Sequence, residues 1–140
     1  MKIEYFLVDG KLDNRALDGG VYRVDLIIDS DIVIPLYVGE AGCIVKRCGF
    51  HLLSFSNNSE YFGIQEKYLN EERLVLRFSV QSKLRDKSDR YDQLYIYEEE
   101  KAIKKIKPVT QKPESNNDNM ISVKKKIEAV NRKMKEYGFV

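Results

Sequence analysis

The stretch Gly20-Val21-Tyr22-Arg23-Val24-Asp25-Leu26-Ile27-Ile28-Asp29-Ser30-Asp31-Ile32-Val33-Ile34-Pro35-Leu36-Tyr37-Val38-Gly39 decides how the chain is read. Residues 21–28 are β-branched, aromatic or aliphatic at nearly every position, bounded by Gly19-Gly20 and by Asp29-Ser30-Asp31. This is the pattern of a strand with a turn behind it. Residues 32–38 repeat the pattern and stop at Gly39. Two such strands with a short polar turn between them predict an antiparallel hairpin.

Outward from the hairpin, Lys2–Val8 reads as a short strand. Residues 41–55 change to helical spacing, with Ile44, Val45, Cys48, Leu52 and Phe55 on one side. Ser59–Leu69 reads as a second short helix, Arg73–Val80 as an alternating strand, and Asp89–Lys107 as a long helix closed by Pro108. Gln111–Asn119 is polar and contains Pro and Asn, a linker composition. Beyond it, Met120, Val123, Ile127, Val130, Met134 and Tyr137 recur at spacings of three and four, an amphipathic helix. The expectation is an α+β fold: a small three-stranded antiparallel sheet flanked by helices, plus a C-terminal amphipathic helix. The chain divides into a body over 1–111, a polar linker over 112–118 and a basic helix over 119–140.

The sequence has 140 residues, 43% hydrophobic and 33% charged, which suits one globular domain. No apolar run approaches the roughly 18 residues of a membrane span, and the first ten residues do not have the form of a signal peptide. Two cysteines, Cys43 and Cys48, lie five residues apart. On a helix they point in different directions, which disfavours a bridge. With a single histidine they also fall short of a structural zinc site. Reduced cysteines and absent targeting signals point to the cytoplasm. The net charge of +2 diagnoses nothing alone, but Lys and Arg gather in the last third.

Three features concern chemistry. Gly20-Val21-Tyr22 opens the hairpin and Tyr37-Val38-Gly39 closes it, each ordinary strand sequence when taken alone. Arg47 and His51 stand i,i+4 on the following helix, hence on one face, beside its apolar stripe. In the long helix, Tyr95, Ala102, Ile103 and Ile106 fall within about 60° of Glu99 on a helical wheel, so Glu99 sits inside the apolar stripe. A carboxylate there must be paired, protonated or metal-bound. An ion pair with Arg47 in a purely structural domain is one solution, and a cation site is another.

Taken together, Gly20-Val21-Tyr22, Tyr37-Val38-Gly39, Arg47, His51 and the segment Glu99–Gln111 resemble the GIY-YIG nuclease signature. In that family an Arg follows the second triplet on a helix, with His or Tyr four residues later. A Glu opens a segment that carries a Pro and, twelve residues on, an Asn. The resemblance covers residues 20–111 and selects Glu99 over Glu98 and Glu100, as the wheel does. Gln111 stands where the family has Asn, a similar amide on a longer stem.

The resemblance implies a metal-dependent endonuclease cutting phosphodiester bonds in duplex DNA, of restriction, mobile-element or repair type. Glu99 would hold Mg²⁺ or Mn²⁺, and Arg47 would bind the phosphate. Tyr22, Tyr37 and His51 would surround the attacking water, with the general base open among them. Arg47 or the metal would have to depress the Tyr22 phenol for it to serve. Gly20 and Gly39 are structural positions of the motif, and Gln111 a polar support. Lys46 and, on the terminal helix, Lys124, Lys125, Lys126, Arg132 and Lys133 are candidate phosphate contacts. The terminal helix could pack back on the body or pair two copies into a homodimer. The competing class is a binding module that keeps the fold without cutting.

Overall fold

A computed structural model describes residues 1–112 and 121–139. In chain order the strands are β1 (Lys2–Tyr5), β2 (Leu7–Val8), β3 (Lys11–Leu12), β4 (Gly20–Ile28), β5 (Ile32–Ala41) and β6 (Leu74–Lys83). The helices are α1 (Ile44–Asn57), α2 (Gln93–Ile106) and α3 (Val123–Lys135), with 3₁₀ turns at Asn14–Leu17, Ser59–Phe62 and Glu66–Tyr68. The fold is α+β, and no helix among the described residues is long and apolar enough to cross a membrane.

The expected hairpin is present. β4 and β5 pair antiparallel with Tyr22 opposite Gly39 and Gly20 opposite Ala41, so the strand runs through Gly39 rather than stopping there. A register shift between Val24 and Asp25 falls opposite the segment containing Pro35, a residue that cannot donate to a ladder. Asp29 and Ser30 turn the hairpin with φ of 53° and 72°. Arg73 grips the Asp29 carboxylate through two bonds of 2.8 Å.

The sheet has four strands, not three, and is mixed: its order is β1-β6-β4-β5, with β1 parallel to β6. The expected strand over 2–8 breaks because Phe6 takes a left-handed φ of 53°. β1 stays in the sheet, while β2 turns away to pair with β3 in a separate ribbon. A parallel edge partner some 70 residues distant leaves no local trace in the sequence. The helix expected over 59–69 is two 3₁₀ turns separated by Gly63, whose φ is 78°.

One face of the sheet carries the main core. Tyr22, Val24, Leu26, Leu74, Leu76 and Phe78 pack there against Ile44, Cys48 and Phe55 of α1 and against Phe62. The other face is covered at one end by α2, where Val21 and Val38 meet Ala102 and Ile103. Asp92 caps α2 by accepting from Leu94 N–H at 3.1 Å, and Lys107 ends it in the left-handed region before Pro108.

After α2 the chain runs along the outer side of β5. Val109 and Thr110 amides donate to the Pro35 and Leu36 carbonyls at 2.9 and 3.3 Å. Ile121 N–H then donates to Thr110 O at 3.0 Å, and α3 follows. Of the expected apolar seam, Val130 and Met134 lie buried in the main core, Ile127 is half-buried, and Val123 and Tyr137 are exposed. Met120 lies outside the described residues, as do residues 113–118 of the expected linker. The helix thus takes the first of the two expected courses, folding back on the body. Both cysteines are free, Cys48 buried and Cys43 half-buried.

Candidate active site

A cleft of about 780 Å³ opens between α1, α2 and the β5 side of the sheet. Tyr22, Tyr37, Arg47, Glu99 and Lys46 all line it, drawn from β4, β5, α1 and α2. Residues spread over almost eighty positions of sequence therefore share one concavity.

The pairing of β4 with β5 sets the two tyrosines. Tyr22 is opposite Gly39 and Val24 opposite Tyr37, which makes the tyrosines diagonal neighbours across the ladder. Their ring centroids are 6.2 Å apart. Gly39 is needed for this approach, because a Cβ there would fall on the Tyr22 phenol and lie 3.0 Å from Tyr37 Cε2. Gly20 is needed for the adjoining strand: a Cβ would run into the Ser82 carbonyl of β6. Both glycines of the motif are thus close-packing positions.

His51 is buried behind Tyr22. Its Nε2 and the Tyr22 hydroxyl share a hydrogen bond of 2.7 Å, and its Nδ1 and the Tyr61 hydroxyl share another of 2.7 Å. Burial pushes the Tyr22 phenol well above its ordinary pKa, and Tyr37 adds to the rise; the Arg47 charge pulls the other way without cancelling it. The lowered phenol needed for a free-standing base is therefore not produced by Arg47. Tyr22 keeps its proton unless a directly bonded partner takes it.

Glu99 is 4% exposed, flanked on α2 by buried Tyr95, Ala102 and Ile103 as the wheel requires. A second carboxylate, Glu40, lines the same cleft and is paired with Lys87 at 2.7 Å. Lys87 donates to Glu40 Oε1 at 2.9 Å, while Oε2 is buried without a directional hydrogen bond. Among the described residues no three His, Cys, Asp or Glu side chains gather as a ready-made metal cluster.

Gln111 lies beside β5 at Val38. Its carboxamide accepts from Val38 N–H and donates to Val38 C=O, both at 2.8 Å. The support expected of it is therefore a backbone bond to the strand carrying Tyr37 and Gly39.

The basic residues separate. Lys46 is on the cleft, whereas Lys124, Lys125, Arg132 and Lys133 are exposed on α3 and do not line it. Lys126 is not a surface cation: it is 5% exposed and donates to the Tyr61 carbonyl at 2.8 Å. The reason is its position on α3, which points it inward with Val130 and Met134 at i+4 and i+8.

Several cleft residues carry no sequence signal of their own. Lys87, Arg90 and Tyr91 come from the loop between β6 and α2. Asp92 organises that loop, accepting from Arg85 at 2.6 and 2.8 Å and from Ser88 N–H at 2.9 Å. Tyr91 is 63% exposed with the Arg90 guanidinium 4.8 Å from its ring centre, and Phe50 on α1 is 56% exposed. Cations beside exposed aromatic rings thus converge on one mouth from separate elements, which no local pattern marks. Nothing local in the sequence marks Tyr61, which stands behind His51.

Compared with known protein families, curated proteins and solved structures, the chain matches none of them.

Proposed function

We propose that the chain is a divalent-metal-dependent endonuclease hydrolysing phosphodiester bonds in DNA, with a GIY-YIG-like arrangement of its hairpin, α1 and α2. The observation that carries this reading is the meeting of Tyr22, Tyr37, Arg47 and Glu99 in one cleft.

The donor set suits a hard cation. Mg²⁺ keeps several waters and takes one or two carboxylates, so Glu99 on a cleft roomy enough for those waters is an adequate protein ligand. The bound ion would supply Lewis-acid stabilisation of charge on the scissile phosphate. The remaining work belongs to the chain. Arg47 stands exposed at the cleft with a permanent charge and a fork matched to non-bridging phosphate oxygens. Tyr22 orients the attacking water, and His51, 2.7 Å behind it, is the group placed to receive a proton from the phenol. Lys46, Arg90, Phe50 and Tyr91 at the mouth combine cations with aromatic faces, the pairing that holds nucleic-acid strands.

The test is cleavage of supercoiled plasmid with Mg²⁺ or Mn²⁺, beside EDTA, Glu99→Ala and Arg47→Ala. Metal-dependent nicking or linearisation lost in both folded variants is expected. Tight DNA binding by folded protein, with no cleavage of plasmid or single strands in either metal, would make it a non-cutting binding module instead.

A further inference from the structure

A series of contacts runs from the terminal helix to the cleft. The Lys126 ammonium donates to the Tyr61 carbonyl at 2.8 Å and stands 5.0 Å from the centre of the Tyr61 ring. The Tyr61 hydroxyl reaches His51 Nδ1, and His51 Nε2 reaches Tyr22, each at 2.7 Å. α3 comes this close because residue 63 is glycine: a Cβ there would lie 2.6 Å from the Lys126 carbonyl oxygen. Burying an ammonium is costly, and desolvation accordingly lowers the Lys126 pKa. A methionine or leucine would fill the same space without that cost, so the amine calls for a reason beyond packing.

The charges around Tyr22 favour one direction along the series. Arginine can only donate, and the Arg47 charge beside Tyr22 favours the lone pairs of the phenol oxygen turned toward it, which leaves the hydroxyl proton directed to His51 Nε2. His51 Nε2 is in place. A neutral imidazole offers one donor and one acceptor; if Nε2 accepts, Nδ1 carries the hydrogen and donates it to the Tyr61 oxygen.

We infer that Tyr61, anchored by Lys126, is a positioning residue that holds His51 in the Nδ1–H form, keeping Nε2 open toward Tyr22. The catalytic consequence rests on the nuclease reading. As water gives a proton to the Tyr22 oxygen, the Tyr22 hydroxyl proton passes to His51 Nε2. The product is an imidazolium whose Nδ1–H still donates to Tyr61, and hydroxide is left to attack phosphorus. Tyr61 takes no proton and touches no substrate.

His51 is the only histidine in the chain, so its ring nitrogens can be read without ambiguity. The experiment is a long-range ¹H–¹⁵N correlation of the full chain labelled at histidine, at about pH 8, where an ordinary imidazole is neutral. Wild type should show protonated Nδ1 and bare Nε2. Tyr61→Phe, which removes one oxygen, should release the ring toward the Nε2–H form usual for free imidazole. Lys126→Met should give an intermediate mixture, with thermal melts confirming that both variants fold. In the plasmid assay both should lower kcat with little change in KM, on the order of the 10–100-fold attached to such outer partners in metalloenzymes.

A wild-type Nε2–H ring, or a ring unmoved by Tyr61→Phe, would overturn the inference. An unmoved ring in Lys126→Met would remove the anchoring role. The spectrum needs no catalysis. Cleavage with the wrong tautomer would sink this inference and leave the nuclease, whereas the expected tautomer in an inert protein would sink the nuclease alone.

Discussion

Gln111 and Val38 face each other as two residues of neighbouring strands would, one through its backbone and the other through its side chain. The amide of Gln111 replaces a peptide group, giving and receiving at 2.8 Å. Gln111→Ala should strip a buried N–H and C=O from β5, at about 1–3 kcal/mol per group left unsatisfied. Urea unfolding measures the loss; a midpoint equal to wild type would mean that water or another group substitutes freely. Gln111→Asn, one methylene shorter, should recover only part of the loss.

Gly39→Ala tests the close approach between the two tyrosine-bearing strands. Since the new methyl would fall on the Tyr22 phenol, ring and strand must separate, with overpacking cost of about 1–3 kcal/mol. Plasmid cleavage should fall well beyond what the change in folded fraction explains. Unchanged activity would show that the ring has room to give.

Stability should decline at both ends of the pH scale. Burial raises Tyr5, whose hydroxyl donates to the Val45 carbonyl at 2.6 Å, from 10.0 to about 12. Tyr22 and the Cys48 thiol are raised by the same cause. Groups raised in the folded state bind protons more tightly there, so their contribution is complete below their ordinary values. It is lost as pH climbs, beginning near the 9.0 of a thiol and continuing to about 12. Asp92 has the opposite sign: Arg85 and the surrounding donors depress it, so its contribution is lost as pH falls below the usual 3.8. Thermal melts from acid to alkali should therefore trace a plateau with two shoulders. A melting temperature still level at pH 11 would contradict the burial of the three alkaline groups.

Phe50 and Tyr91 should govern affinity for unpaired bases. Stacking on an aromatic ring is worth about 1–3 kcal/mol per base, so Phe50→Ala and Tyr91→Ala should each weaken single-strand binding by about fivefold to a hundredfold. Anisotropy of a labelled oligonucleotide in EDTA reads this without cleavage. Affinity should also fall steeply with salt, and Lys46→Ala should flatten that dependence. Equal affinity in both aromatic variants would assign the rings to some other contact.

What the sequence discloses follows from where each signal resides. The hairpin, α1 and α2 announce themselves by periodicity, and the burial of Glu99 is legible from its neighbours on the same helix, Tyr95, Ala102 and Ile103. Relationships that depend on distant chain are another matter. Tyr61 reaches His51 from a 3₁₀ turn of ordinary composition, and Lys126 looks like one more cation in a basic helix until the helix is seen to dock. Gln111 could be named as a polar support, but not its bond to Val38, because a side chain imitating a strand has no periodic mark. The strand that begins at Lys2 is legible, but not its place in the sheet: pairing of Lys2 with Val75 depends on the whole intervening fold.

The docking of α3 also bears on when the core closes during synthesis. Val130, Met134 and Phe139 complete the main core, and Lys126 meets Tyr61 across 65 positions of sequence. A nascent chain that has displayed both tyrosines, Arg47, His51 and Glu99 still lacks the piece that closes over residues 59–63. Translation order therefore delays the assembled cleft and its backing until α3 clears the ribosome.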